Sequence, residues 1–375
     1  MIALELRSEI PLFPIASPHR LSLKHKATKE KPRKSLLDDD VFVLGDQEIG
    51  RGERKKIHLK IGKLYDNTDI NIPVEVIRGR SPGPIFFVSA AVHGDELNGV
   101  EICKRLLDLR QLKDIAGTLL VIPIVNVFGF NSLSRYLPDR RDLNRCFPGS
   151  PNGSLASRLA HVFMSEIVSK ATHGIDLHTG AVHRRNLPQI RADIDEPETL
   201  RLAEAFGIPV IMRSNVPDGS LRQAVSERRI PMLLYEGGEA LRFEERAIRI
   251  GLNGILSVMH TINMLDGSKR TTRPTRPQPK PFIAHSSYWT RATRSGIVRM
   301  LSKVGALVHK DEIIAIISDP YGDEVETVKA RVEGIVIGAT QLPVVHEGDA
   351  LFHIATFQEP EKVEESLADL DELAV

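Results

Sequence analysis

The chain has 375 residues, enough for two domains, and its 42% hydrophobic content can bury a sizeable core. Its 50 basic and 49 acidic side chains leave a formal net charge of +1, so the whole-chain charge offers no case for nucleic acid as a partner. Two cysteines, Cys103 and Cys146, cannot build a disulfide framework, and no stretch approaches the ~20 apolar residues of a membrane span, so a soluble, cytoplasmic protein is expected.

Taken in order, residues 1–34 read as a flexible arm. Between Arg20 and Lys34 it holds seven Lys or Arg against Glu30 alone, and it lacks the apolar run of a signal peptide. The segment 35–265 alternates strands and helices. PIFFVSAAV (84–92) is a nearly unbroken apolar run, as in a strand buried on both faces. A helical stripe follows over 96–110, then the buried strand TLLVIPIV (118–125). LASRLAHVFMSEIVSKA (155–171) reads as a helix and GIDLHT (174–179) as a short strand. A helix near 197–206 leads to the strands PVIM (209–212) and PMLLYEGG (231–238), and a long helix over 246–265 closes the segment. The alternation predicts an α/β domain with a parallel or mixed sheet.

A linker is expected over 266–281, where four prolines stand among five basic residues. Residues 282–357 then turn to short Val/Ile segments cut by Gly, Asp and Lys. Their halves echo each other, GIV…VGALVHKDEIIAII against GIV…PVVHEGDALFHI, which predicts a small all-β domain of two similar hairpin units. The last stretch, 358–375, carries seven acidic residues against Lys362 and is expected to be a solvated acidic tail.

Four places carry chemistry. In VHGDELNG, His93 and Glu96 lie three positions apart where a buried strand gives way to a helix, the end at which open α/β sheets place ligands. In IDLHTG, His178 ends another strand, and Asp176 shares its face by alternation, so its carboxylate could orient the ring. Two histidines and one carboxylate leave one tetrahedral position open, the arrangement of a catalytic zinc. In YEGG, Glu236 follows the apolar MLLY. A structural salt bridge is one reading of it, and a general base is the other. The fourth place is the basic loop NSLSRYLPDRRDLNRCFPG (131–149). It crowds Arg135, Arg140, Arg141 and Arg145 beside Asn144, and Arg suits carboxylates and oxyanions. Arg140 and Arg141 read equally well as plain exposed charge.

HGDE, SRY…DLNR, DLHTG and EGG, in that order, resemble the succinylglutamate desuccinylase/aspartoacylase family over about 35–265. The resemblance implies a zinc-carboxypeptidase-like mixed sheet flanked by helices. It also implies one zinc per chain on His93, Glu96 and His178, Glu236 as base, and Arg135 polarising the scissile carbonyl. Asn144 and Arg145 would hold a substrate carboxylate, and the substrate would be a small N-acyl amino acid. Residues 282–357 resemble a biotinyl/lipoyl-like β-fold. The matching hairpin tip, SDPYGDEVE (318–326), has no lysine, so no attached group is expected. Two alternatives stay open: a metallocarboxypeptidase with the same ligands, and a non-catalytic metal-binding protein. Self-association through the β-domain is also open.

Overall fold

The computed structural model describes residues 41–213, 217–266 and 281–373, with side chains to residue 369. The expected basic arm (1–34) and linker residues 267–280 lie outside the described residues. A hairpin of β1 (Val41–Leu44) and β2 (Gln47–Gly50) is followed by the long strands β3 (Arg54–Lys63), β4 (Asp69–Arg78) and β5 (Ser81–Ala90). Next come α1 (Asn98–Leu107), β6 (Ala116–Ile122), α2 (Val127–Asn131), α3 (Leu155–Glu166), β7 (His173–Gly180) and β8 (Arg184–Ala192). Then come α4 (Pro197–Phe206), β9 (Val210–Arg213), α5 (Leu221–Ser226), β10 (Met232–Glu239) and α6 (Glu245–Thr261).

β10, β7, β5 and β6 run parallel at the centre of one large sheet. β8 flanks β10 antiparallel, while β4 and β3 extend the opposite edge antiparallel. Side-chain alternation splits the sheet into two cores. Ile175 and Leu177 of β7 and Tyr235 of β10 pack under α1, α4 and α6. Phe87 and Met232 face the other layer, with α3, α5 and the β1–β4 strands. Helix ends follow their sequence cues: Pro197 opens α4 on a Glu196 cap and Gly207 closes it at φ 80°. α6 stops at Thr261, short of the expected Leu265.

The remaining strands are β11 (Phe282–Ala284), β12 (Ser286–Arg291), β13 (Gly296–Met300), β14 (Leu307–Val308) and β15 (Ile313–Ser318). After them come β16 (Val325–Lys329), β17 (Gly334–Thr340), β18 (Val344–Val345) and β19 (Ala350–Thr356), and α7 (Pro360–Leu373) ends the chain. The internal repeat is real in space. β13 pairs with β15 and β17 with β19, and each unit's short strand crosses to the other unit: β14 pairs with β17, β18 with β13. The fold class is therefore as expected, a mixed sheet flanked by helices with an all-β C-terminal region.

This region does not stand apart, however. β17 pairs antiparallel with β8, so the order β12-β19-β17-β8-β10-β7-β5 carries one sheet from the C-terminal strands to the parallel centre. Gly338 makes that seam: a Cβ there would lie 2.8 Å from Asn186 Oδ1. The acidic run also differs from the expected tail. It forms α7, whose Val363 and Leu367 are buried against Leu187, Ile335 and Phe357. Glu361, Glu364, Glu365 and Asp369 lie on its exposed face, a periodicity that charge counting overlooks. No helix among the described residues is long and apolar enough to cross a membrane.

Candidate active site

β5 ends at Ala90, and Ala91 turns the chain at φ 51° into the loop that carries His93 and Glu96 before α1 begins. Gly94 has no room for a side chain, because a Cβ would fall 1.9 Å from the Gly129 carbonyl carbon of α2. That contact pins the loop over the carboxyl ends of β5 and β7. His178 comes from the end of β7 on the same face, opposite the core residues Ile175 and Leu177.

His93, Glu96 and His178 are brought together, all buried, with potential ligand atoms within 4.8 Å of one another. Glu96 is the centre. Its Oε1 lies 2.6 Å from His93 Nδ1 and its Oε2 2.8 Å from His178 Nδ1, while Thr179 N donates to Oε2 at 3.0 Å. Each imidazole rests its Nε2 on a further carboxylate. For His178 it is Asp176 Oδ2 at 2.6 Å, as strand alternation predicts, with Ser89 Oγ holding the other oxygen at 2.7 Å. For His93 it is Asp142 Oδ1 at 3.2 Å, a partner the sequence reading did not single out. Asp142 lies 49 residues away in the DLNR stretch, and no spacing rule links them.

Arg135 completes this cluster. Its Nη2 and Nε donate to Asp142 Oδ2 at 2.8 and 3.1 Å, and Nη1 stands 3.5 Å from Glu96 Oε1. Burial by itself would raise Glu96, but the two imidazoles hold it far below the usual carboxylate range. Burial likewise opposes charge on His178, yet Asp176 and Glu96 draw it well above an ordinary histidine. Three carboxylates against one guanidinium form a buried centre that favours positive charge between its donor atoms.

Glu236 occupies the next strand. It pairs in register with His178 of β7 on one side and with Gln189 of β8 on the other, so His178, Glu236 and Gln189 form one row across three strands. Asn186 Nδ2 donates to Glu236 Oε2. Arg191 Nη2 donates to the same oxygen at 3.4 Å, and its Nε lies 3.0 Å from Oε1 as an ion pair out of line for a hydrogen bond. Glu236 is thus salt-bridged, and it stands beside the His93–Glu96–His178 cluster. Neither Asn186 nor Arg191 could be found from the sequence, since a bulge shifts the β8–β10 register between them.

Burial, and then Arg191, lowers the buried Arg222 of α5 to about 10, with Glu236 and Asp193 opposing. The C-terminal strands border the same side. Trp289 stacks on His353 with centroids 4.3 Å apart, and Arg184 lies 4.4 Å over the Trp289 ring. Burial, followed by Arg191 and Arg184, brings His353 down to about 3.

The other two candidates sit in the short turn Leu143–Arg145. Asn144 is buried, and its Oδ1 accepts from Leu221 N of α5 at 2.9 Å, which leaves its Nδ2 as donor. Arg145 is exposed, with Nη1 donating to Asn144 O at 2.6 Å. It stands at the surface, outside the His93–Glu96–His178 cluster. Arg140 and Arg141 are exposed, in keeping with the plain-charge reading.

Residues 82–262 match the family model of the succinylglutamate desuccinylase/aspartoacylase catalytic domain. An N-alpha-acetyl-L-2,4-diaminobutyric acid deacetylase of Halomonas elongata is 27% identical over 297 residues, 76% of this chain and 86% of that protein. A crystal structure of a succinylglutamate desuccinylase/aspartoacylase from Rhodobacter sphaeroides is 26% identical with a TM-score of 0.73, covering 85% of this chain and 100% of that one. The fold is also that of the product-bound ectoine utilization protein EutE (DoeB) from Ruegeria pomeroyi: TM-score 0.73, 23% identity, 85% of this chain and 97% of that one. With its four motifs gathered near the carboxyl ends of β5, β7 and β10, residues 82–262 carry the features of the succinylglutamate desuccinylase/aspartoacylase catalytic domain, and the chain is similar to members of that family over most of its length.

Proposed function

We propose that the protein is a zinc-dependent deacylase that hydrolyses the amide bond of an N-acyl amino acid. The observation that carries this reading is the closed set of His93, Glu96 and His178, with a carboxylate behind each imidazole. Two nitrogens and one carboxylate suit zinc, and Asp142 and Asp176, accepting the Nε2 protons, would leave both Nδ1 lone pairs directed at the ion. Three carboxylates against Arg135 leave two negative charges, which a divalent cation would balance. Zinc held there would supply Lewis acidity, polarising the acyl carbonyl and lowering the pKa of water towards ~7.

The chain's own groups divide the remaining work. Glu236 takes a proton from the attacking water and delivers it to the departing amine. Arg135 Nη1, beside Glu96, donates to the oxyanion as it develops. Asn144 Nδ2 and Arg145 hold a carboxylate of the substrate at the pocket rim. The named relative acts on an acetylated diaminobutyric acid, so that compound belongs in the first panel. The arginines around Glu236, however, favour anionic substrates, above all N-acetyl and N-succinyl acidic amino acids.

The test is elemental analysis of wild type beside His93→Ala, followed by that panel. About one zinc per chain, lost in the variant together with hydrolysis, is the expected result. Protein that binds no metal when zinc is supplied would overturn the mechanism.

A further inference from the structure

Gln189 is fully buried, and both its carboxamide atoms, Oε1 and Nε2, have no hydrogen-bond partner among the described residues. Leaving such a group unpaired is costly, which is why buried amides in folded proteins are almost always satisfied. Its position says what would satisfy it. Gln189 is the cross-strand neighbour of Glu236, with side chains on one face about 5 Å apart at their Cβ atoms. Asn186 and Arg191, on the same strand, engage Glu236, while Gln189 does not. Gln189 itself is closed to solvent, and the partly exposed side chains next to it are Arg191 and Glu236, at 23% and 16%, so a ligand reaches Gln189 only as Arg191 moves off Glu236.

We propose that Gln189 is a specificity-determining residue that reads the amino-acid half of the substrate. Its Oε1 accepts from the substrate N–H, and its Nε2 donates to the carboxylate on the adjacent carbon. This rests on the deacylase reading. If Glu236 delivers a proton to the departing nitrogen, that nitrogen stands within one cross-strand spacing of Gln189. In an α-amino acid a donor nitrogen and an acceptor carboxylate sit on one carbon, and a carboxamide presents the complementary acceptor and donor side by side. Arg191, drawn from Glu236 by the incoming carboxylate, adds a charge-assisted bond and frees the base for its proton.

The experiment uses the zinc-loaded full chain, with Gln189→Met as a near-isosteric apolar replacement and Gln189→Glu as a second variant. N-acetyl-L-glutamate is compared with N-acetyl-γ-aminobutyrate, the same molecule without its α-carboxylate. Gln189→Met should narrow the preference for the glutamate compound by roughly tenfold, mainly through KM, with zinc content kept. Its melting temperature should rise, because an unpaired buried amide is replaced by an apolar group of similar shape. Gln189→Glu, placing a negative charge opposite the carboxylate, should narrow the preference further.

Equal losses on both compounds, or an unchanged preference with a lowered melting temperature, would make Gln189 a packing residue and end the proposal. A wild type that hydrolyses neither compound, nor the N-acetyl or N-succinyl forms of other acidic amino acids, would instead overturn the deacylase reading beneath it. Wild-type turnover with normal preference in Gln189→Met would overturn the inference alone.

Discussion

Glu96, on the loop after β5, and Glu236, on β10, both stand beside His178 of β7, yet their surroundings are opposites. Glu96 is saturated: an imidazole at each oxygen, a backbone amide, and a guanidinium nearby. Its neighbours are themselves held by Asp142, Asp176 and Ser89. Glu236 is held by the Asn186 amide and the Arg191 guanidinium, and the adjacent Gln189 carboxamide has no hydrogen-bond partner among the described residues. A saturated network fixes ligand directions in advance, as an ion site needs. A network with spare hydrogen-bonding capacity keeps free energy in reserve for a substrate and lets a proton carrier move.

The comparison can be broken by exchanging charge on either side. Glu236→Gln should lower kcat by roughly 10²–10⁴ while zinc content stays at the wild-type level, read by steady-state kinetics and elemental analysis. Parallel loss of zinc would mean that Glu236 belongs to the saturated side. Asp142→Asn and Asp176→Asn act on the other centre. Each should weaken zinc binding by about 10–100-fold, measured by competition with a chelator, because the imidazole exchanges a charged carboxylate acceptor for a weaker, neutral carboxamide. If Asp142→Asn leaves affinity unchanged, the contact with His93 is incidental and Arg135 is its true partner. The smallest effect is expected at Asn186→Ala, about tenfold in kcat with little change in KM or metal, since one hydrogen bond to the base is removed and Arg191 still holds it.

The same contrast marks what could be read ahead of the fold. His93 and Glu96 are three residues apart on a loop, and His178 and Asp176 alternate on one strand, so their local geometry is set within a single turn or strand. The buried strands around them announce themselves as apolar runs, and the helices by their stripes. Asp142, Asn186, Arg191 and Gln189 gave no such signal, because each meets its partner across a register between distant segments. Glu236 and Gln189 stand 47 positions apart in the chain and meet through a pairing that contains a bulge.

α7 and the seam between β17 and β8 escaped for related reasons. The acidic surface of α7 masked Val363 and Leu367, and Gly338 reveals its purpose only against Asn186. By itself the sequence determined which strands are buried, the pattern of the internal repeat and the two local pairs, His93 with Glu96 and Asp176 with His178, because periodicity and short spacings are local properties of the chain. Only the tertiary structure decided that the C-terminal strands extend the large central sheet, and which residues surround Glu236. Strand register is settled collectively, by burying whole faces at once, and no single segment encodes it.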